Sequence, residues 1–250
     1  MLDMRQSAPM APPLRTIYRQ SAGAIVPCLI AGALGAAASA HAARPFVTDD
    51  ARVVDEGGYQ LEVFYKRQRA FKEHEIGFLP AHNPFGRVEL TLGGIWVNSV
   101  PEGNSRSFVA QAKTLLKPLE ANGSGYALTL GVTHLSPSGP DSGETNPYVN
   151  GIGSFSIADD AVVIHTNLGA RRDAGAGTTR GTWGAGAEIR MTERLFGIVE
   201  TYGERGEKPT RHAGLRFWMV PSHVQIDGTL GFERTDPERR FHTVGLRLLW

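Results

Sequence analysis

The sequence predicts an all-β protein: a transmembrane, antiparallel, up-and-down β-barrel of about twelve strands (ten to fourteen), preceded by a signal peptide. Three observations point there. The chain opens on an export-type segment. From Tyr59 onward, apolar and polar residues alternate in runs of about ten, the length a tilted strand needs to cross a bilayer. The connections between runs alternate between short and long. A soluble sandwich has no reason to couple loop length to strand parity, whereas an outer-membrane barrel combines short periplasmic turns with longer outer loops.

Residues 1–42 form the first element. Arg5, Arg15 and Arg19 precede an apolar stretch from Ala22 to Ala40, and Ala40-His41-Ala42 supplies a small-residue cleavage pattern. Pro27 and several Gly and Ala make this stretch a poor spanning helix, which speaks against the alternative of an N-terminal anchor. Cleavage is expected after Ala42. It removes Cys28, the only cysteine, and so leaves no disulfide and no thiol chemistry. The whole chain has a formal charge of +1, and without Arg5, Arg15, Arg19 and Asp3 it is nearly neutral. With no basic run either, nucleic acid is excluded as a partner. No later apolar run approaches the ~18 residues of a membrane helix. A mature chain that meets a membrane must therefore do so as a closed barrel, since open sheet edges are not tolerated in hydrocarbon.

Residues 43–58 follow as an N-terminal arm with no clean period, expected on the periplasmic side or inside the lumen. A leader without function is the alternative reading.

Residues 59–250 are the barrel. Strands are expected near 59–67, 72–80, 86–98, 105–118, 124–135, 147–158, 161–171, 179–191, 194–203, 210–220, 223–232 and 239–250. The alternation is plain in most. Leu90 and Leu92 oppose Glu89 and Thr91; Leu215 and Phe217 oppose Gly214 and Arg216. In the ninth strand Phe196 and Ile198 share a face with Glu200. Glu200 is assigned inward, because a carboxylate facing lipid is unfavourable. In the last strand Val244, Leu246, Leu248 and Trp250 form the lipid face. These four are the expected assembly signal, since this stretch resembles the closing strand of bacterial outer-membrane barrels and stops on an aromatic. The short connections are 81–85, 119–123, 159–160, 192–193 and 221–222; the long ones include 136–146, 172–178 and 204–209. The competing architecture is a soluble lipocalin-like barrel or sandwich, whose apolar faces point inward.

The strand faces place Glu62, Lys66, Glu89, Lys113, Glu188, Arg190, Glu200, Arg216, Asp227 and Arg247 in the lumen. Acids and bases balance, and charges in a narrow interior must pair or be hydrated. Such a set lines a polar channel for a small solute, or it forms a salt-bridged network that plugs and stiffens the barrel. About twelve strands make a narrower barrel than the ~16–18-stranded porins with open channels.

A weak alternative site is His134 and Ser136, a base and a hydroxyl two residues apart on one strand face. The pair resembles the His-x-Ser pattern of outer-membrane phospholipase A and of lipid A deacylases, and that resemblance implies a lipid hydrolase. Asn146, Asn150 or Glu144 would then orient the histidine. Pro137 departs from those families, which carry Asn after the serine. A third reading, a non-catalytic structural or surface barrel, needs neither site. Asp159-Asp160 with Asp49, Asp50 and Asp55 could offer oxygen ligands to Ca²⁺, but Asp159-Asp160 fits a tight turn better. Gly184 and Gly186 read as small barrel residues. No zinc spacing or phosphate loop is present, so no cofactor and no metal are expected.

Several segments resemble a proteobacterial group of outer-membrane transporters similar to the meta-pathway phenol-degradation group. They are Arg44–Arg52, Leu79-Pro80-Ala81-His82-Asn83-Pro84, Glu89–Gly94, Lys113–Leu119, His165–Gly169 and Gly245–Leu249. The resemblance spans nearly the whole mature chain. It implies a barrel in the bacterial outer membrane and brings no catalytic residues. It implies little about substrate. The expected partners are outer-membrane lipids, the general export and barrel-insertion machinery and, for a channel, a small-molecule solute.

Overall fold

The computed structural model describes residues 46–68, 72–100, 103–137, 143–233 and 236–250. The expected signal peptide lies outside them. The described chain forms twelve strands: β1 (Tyr59–Gln68), β2 (Glu73–His82), β3 (Val88–Ser99), β4 (Gly103–Lys117), β5 (Ser124–Pro137), β6 (Glu144–Ile157), β7 (Val162–Asp173), β8 (Thr178–Arg190), β9 (Leu195–Glu204), β10 (Thr210–Val220), β11 (Val224–Glu233) and β12 (Asp236–Leu249). Each pairs antiparallel with its neighbours in sequence, and β12 returns to β1, which closes the barrel. No sheet edge is left open. At the seam the Tyr59 amide donates to the Trp250 carbonyl at 2.8 Å, and the Trp250 amide donates to the Tyr59 carbonyl at 3.1 Å. The two rings stack with centroids 6.0 Å apart.

The faces decide between the two architectures. Leu168 and Leu230 are 74% and 71% exposed, while Glu89, Gln225 and Asp227 are 2%, 0% and 1% exposed. A soluble barrel buries its apolar face and hydrates its polar one; this barrel does the reverse. The soluble lipocalin-like alternative therefore fails. In β9 Glu200 is buried together with Ile198, on the face expected for it.

One expectation is corrected. Loop length does not follow strand parity: residues 138–143 join β5 to β6, and the equally long 118–123 join β4 to β5. The reason is that the ladders run past the expected membrane band. Leu135 pairs with Glu144, and Asp173 pairs with Thr178, so residues read as outer loop complete hairpins instead. The opposite turns use left-handed backbone. Ala158, Asp159 and Asp160 have φ of 55, 53 and 61°, and Asn122 has 55°. Asn and Asp tolerate this region better than most residues, which explains the acidic pair there.

The interior holds three small apolar clusters among its polar groups. Phe64, Leu79, Ile95 and Val109 pack across β1–β4. Phe46 packs on Ile198, and Ala51 on Ala127 and Ile152. Two of the three clusters draw a residue from the segment before β1.

Candidate functional site

That segment, residues 46–58, is the centre of the site. It has no strand or helix of its own, so its backbone amides need partners when buried. Inward side chains of the wall supply them. Glu200 accepts from the amides of Val47, at 2.9 Å, and of Thr48. Asn167 accepts from the Asp49 amide at 2.7 Å and donates back to the Asp49 carbonyl at 2.9 Å. Ser154 accepts from Ala51 at 2.9 Å, and Glu89 from Val54 at 3.0 Å. Asn83 donates to the Val54 carbonyl at 2.6 Å. Gly184 and Gly186 make room: a Cβ at either would lie 2.6 Å from Thr48 Oγ1 or 2.7 Å from Phe46 Cε1.

The arm also completes the lumenal charge network. Lys113 Nζ sits 3.0 Å from Asp49 Oδ1 and 3.7 Å from Asp50 Oδ1. Thr129 donates to the other Asp49 oxygen at 3.4 Å. Burial drives the Asp50 carboxyl upward, but Lys113 and Arg52 outweigh it and hold it at about 2; for Asp49 burial prevails and the shift is upward. On the other side Arg216 bridges Glu188 at 2.5 Å and Asp227 at 3.0 Å, and its guanidinium lies 5.6 Å from the Phe46 ring centroid. His165 Nε2 lies 3.4 Å from Glu188, and its ring meets Phe46 edge-on. Arg52 reaches Glu188 at 3.7 Å. A cavity of about 30 Å³ lies beside Val47 and Thr48, room for a water or two, and one of about 10 Å³ lies among Glu62, Glu89, Lys113 and Arg247, no larger than a single water.

Of the ten residues assigned inward, Glu62, Glu89, Lys113, Glu188, Glu200, Arg216 and Asp227 are buried in the interior. Arg247 bonds Gln60 at 2.9 Å and lies 3.6 Å from Glu62; Lys66 pairs with Glu75 at 3.3 Å. Arg190 stands apart. It is exposed at the end of β8, where its guanidinium donates to the Asp159 carbonyl, so it sits on the rim. Val244, Leu246 and Trp250 are exposed on the outer face and Leu248 shares that face half-buried.

Sequence reasoning missed the residues that grip the arm through neutral groups, Asn83, Ser154, His165 and Asn167. Their signal is present in the alternation, since each shares an inward face or follows one, but a neutral polar side chain marks the lumen less sharply than a charge does. It also missed Glu200–His212, a buried pair in hydrogen-bond contact, and Arg171–Glu204 at 2.6 Å.

His134 and Ser136 lie on the outer face. His134 Nδ1 meets Thr145 Oγ1 at 2.9 Å. The expected orienting residues are on the other face: Asn146 bonds the Ala174 amide and Asn150 bonds Asn167, both inside. Glu144 shares their face by alternation. The wall separates base from orienter, so this pair is not assembled as a triad. Asp49 and Asp50 lie in the lumen and Asp159 and Asp160 in a turn, where Asp159 bonds Asn122 and Asp160 accepts from Ser156. Among the described residues no group of three or more His, Cys, Asp or Glu is placed to hold a metal.

The sequence matches, over residues 29–250, the family described as uncharacterised conserved protein UCP029691, and the chain belongs to it. No curated protein matches it. Among solved structures it is similar to the KdgM porin in complex with disordered oligogalacturonate, with 12% identity, a TM-score of 0.55, and 76% of this chain and 98% of that one covered. It is similar to the NanC porin, with 9% identity, a TM-score of 0.53, and 75% and 98% covered. It is also similar to the COG4313 outer membrane channel from Pseudomonas putida F1, with 12% identity, a TM-score of 0.52, and 80% and 98% covered. The fold is thus that of outer-membrane porins and channels.

Proposed function

We propose that the protein is a narrow outer-membrane channel for a small polar solute, with its own N-terminal arm seated in the lumen. The arm's seat carries the reading. Polar side chains of the wall, Glu89, Lys113, Ser154, Asn167 and Glu200, hold most of the arm, so its seat is hydrophilic. When the arm leaves, the same groups become hydrated donors and acceptors of both signs lining a passage. Balanced charge favours a polar, weakly ion-selective path. Glu62, Glu89, Lys113, Glu188, Glu200, Arg216, Asp227 and Arg247 are the proposed lining; Lys66 stands at its outer end and Arg190 on its rim.

The proposal includes export by the cleaved segment 1–42, residence among outer-membrane lipids after barrel insertion by the general machinery, and kinship with the meta-pathway phenol-degradation group on the motifs quoted above. Planar-bilayer recording tests it. Chain 43–250 is expected to give small or intermittent currents, and chain 59–250 larger and steadier ones. A folded barrel that carries no current in either form overturns the channel reading and leaves a structural barrel.

A further inference from the structure

The outer wall of β8–β12 carries an open groove of about 1150 Å³. Its floor is unusually low because small side chains make it: Ala185 and Ala187 on β8 and Ala213 on β10. Leu230 and Phe232 rise along one border and Ile164 along the other. Cross-strand register arranges the wall in two rows. One runs Ala187, Val199, Ala213, Leu230, His242; the other runs Ala185, Thr201, Arg211, Phe232, Arg240. The second row ends with two guanidinium groups on either side of Phe232. Strands sit about 4.8 Å apart, so the two arginines are spaced by roughly 10 Å. Both are exposed, and Arg67, also exposed, pairs with His242 in the next position round the barrel.

Among the described side chains, no acid shares the face of these cations. Glu62, Glu75, Glu89, Glu188, Glu200, Glu204 and Asp227 are all buried inward, and by alternation Glu73, Glu144 and Asp173 share that inward face. Among the strand residues whose side chains are described, the outer face therefore carries bases without carboxylates. The bases gather at the end where β9 joins β10 and β11 joins β12. A cationic edge directly above an apolar trough is complementary to an amphiphile with an anionic head and a hydrocarbon tail. Arginine forks favour phosphate over a diffuse dipole.

We propose that this groove binds a lipid of the surrounding leaflet whose phosphorylated head is net anionic, with its phosphate on Arg211 and Arg240 and one acyl chain lying over Ala187 and Ala213. The inference rests on the membrane placement proposed above. It assigns the β8–β12 wall a specific lipid seat, distinct from the lumen.

Native mass spectrometry of chain 43–250 released from detergent tests it, with lipid A as the bisphosphorylated probe and phosphatidylcholine as the zwitterionic one. The unmodified protein is expected to retain lipid A at least ten-fold better than phosphatidylcholine. R211Q/R240Q should lose that preference at least ten-fold. A213W, which fills the trough and keeps both arginines, should lose retention of either lipid. R106Q/R172Q, which removes outer-face arginines elsewhere, should behave as unmodified protein. Equal retention of the two lipids, an unaffected R211Q/R240Q, or dimers that A213W splits would each overturn the lipid seat, the last in favour of a second copy of the chain. Folding is read separately by heat-modifiable gel mobility; if R211Q/R240Q does not fold, R211Q alone is read the same way. Failure of the unmodified barrel to enter vesicles at all sinks the membrane placement rather than the groove.

Discussion

The ring of Phe46 occupies the place a side chain at Gly186 would take: a Cβ built there lies 2.7 Å from Phe46 Cε1. Phe46 is further fixed by Arg216 over its face and His165 at its edge. The backbone of β8, bare at Gly186 as at Gly184, thus makes room for the start of the arm in the lumen. Gly186→Val is expected to expel the start of the arm while the barrel stays closed. Protease cleavage before residue 58 should then accelerate and bilayer current should rise. An arm that stays protected at unchanged current would show that this fit does not hold it.

Lys113 is the only cation placed against both arm carboxylates at 3.0 and 3.7 Å among the described residues. Lys113→Met leaves Asp49 and Asp50 buried without that ammonium. Removing one partner of a buried pair costs about 3–5 kcal/mol. The cost should fall on arm docking, because no wall strand loses a backbone bond. Hydrogen exchange at Val47, Asp49 and Ala51 should speed up while amides in β3–β5 keep their protection. Uniform loss across the barrel would contradict this.

Arg216 lies between two buried carboxylates, Glu188 at 2.5 Å and Asp227 at 3.0 Å. Arg216→Met should destabilise the barrel by about 3–5 kcal/mol, since two buried carboxylates lose their nearest cation. R216M/E188Q/D227N should recover a large part of that loss, because no uncompensated charge remains. Urea midpoints in vesicles give both numbers. A triple variant no better than Arg216→Met would mean that packing, rather than charge, dominates.

The outward face is assigned to lipid, and Leu168 near the middle of β7 is its most exposed member. Leu168→Arg should cost about 2–4 kcal/mol in a bilayer, the penalty of a cation near the midplane. In a detergent micelle, where water reaches the wall more readily, the loss should shrink. Equal loss in both media would place Leu168 outside the hydrocarbon band.

Trp250 closes the seam with two backbone bonds and a ring stacked on Tyr59. Deletion of Trp250 is expected to lower the yield of inserted, heat-modifiable barrel several-fold, with little change in the conductance of the molecules that do insert. Full insertion yield from the truncated chain would remove the terminal aromatic from the assembly step.

Strand faces were legible because alternation is local. Glu89 beside Leu90 and Asp227 beside Ile226 fix inside and outside from sequence alone, since a strand has only two faces. Strand ends were less legible. Thr178 and Glu144 lack apolar partners and read as loop, yet backbone hydrogen bonds across the hairpins hold them in strands irrespective of side chain. The arm was the least legible. Phe46–Val54 has no period, and its contacts are with residues as distant as Glu200 and Asn167, so no local pattern encodes them.

A β-barrel with an apolar exterior, a charged interior and a terminal strand ready to close on the first can be read from the chain without any coordinates. Each of those follows from period-two chemistry within single strands. Only the tertiary structure decided that the arm lies in the lumen, which charges pair, that His134 and its supposed orienting partners sit on opposite sides of the wall, and that small residues from separate strands form one groove. These depend on which strands stand side by side and in what register, and closure of the barrel sets both.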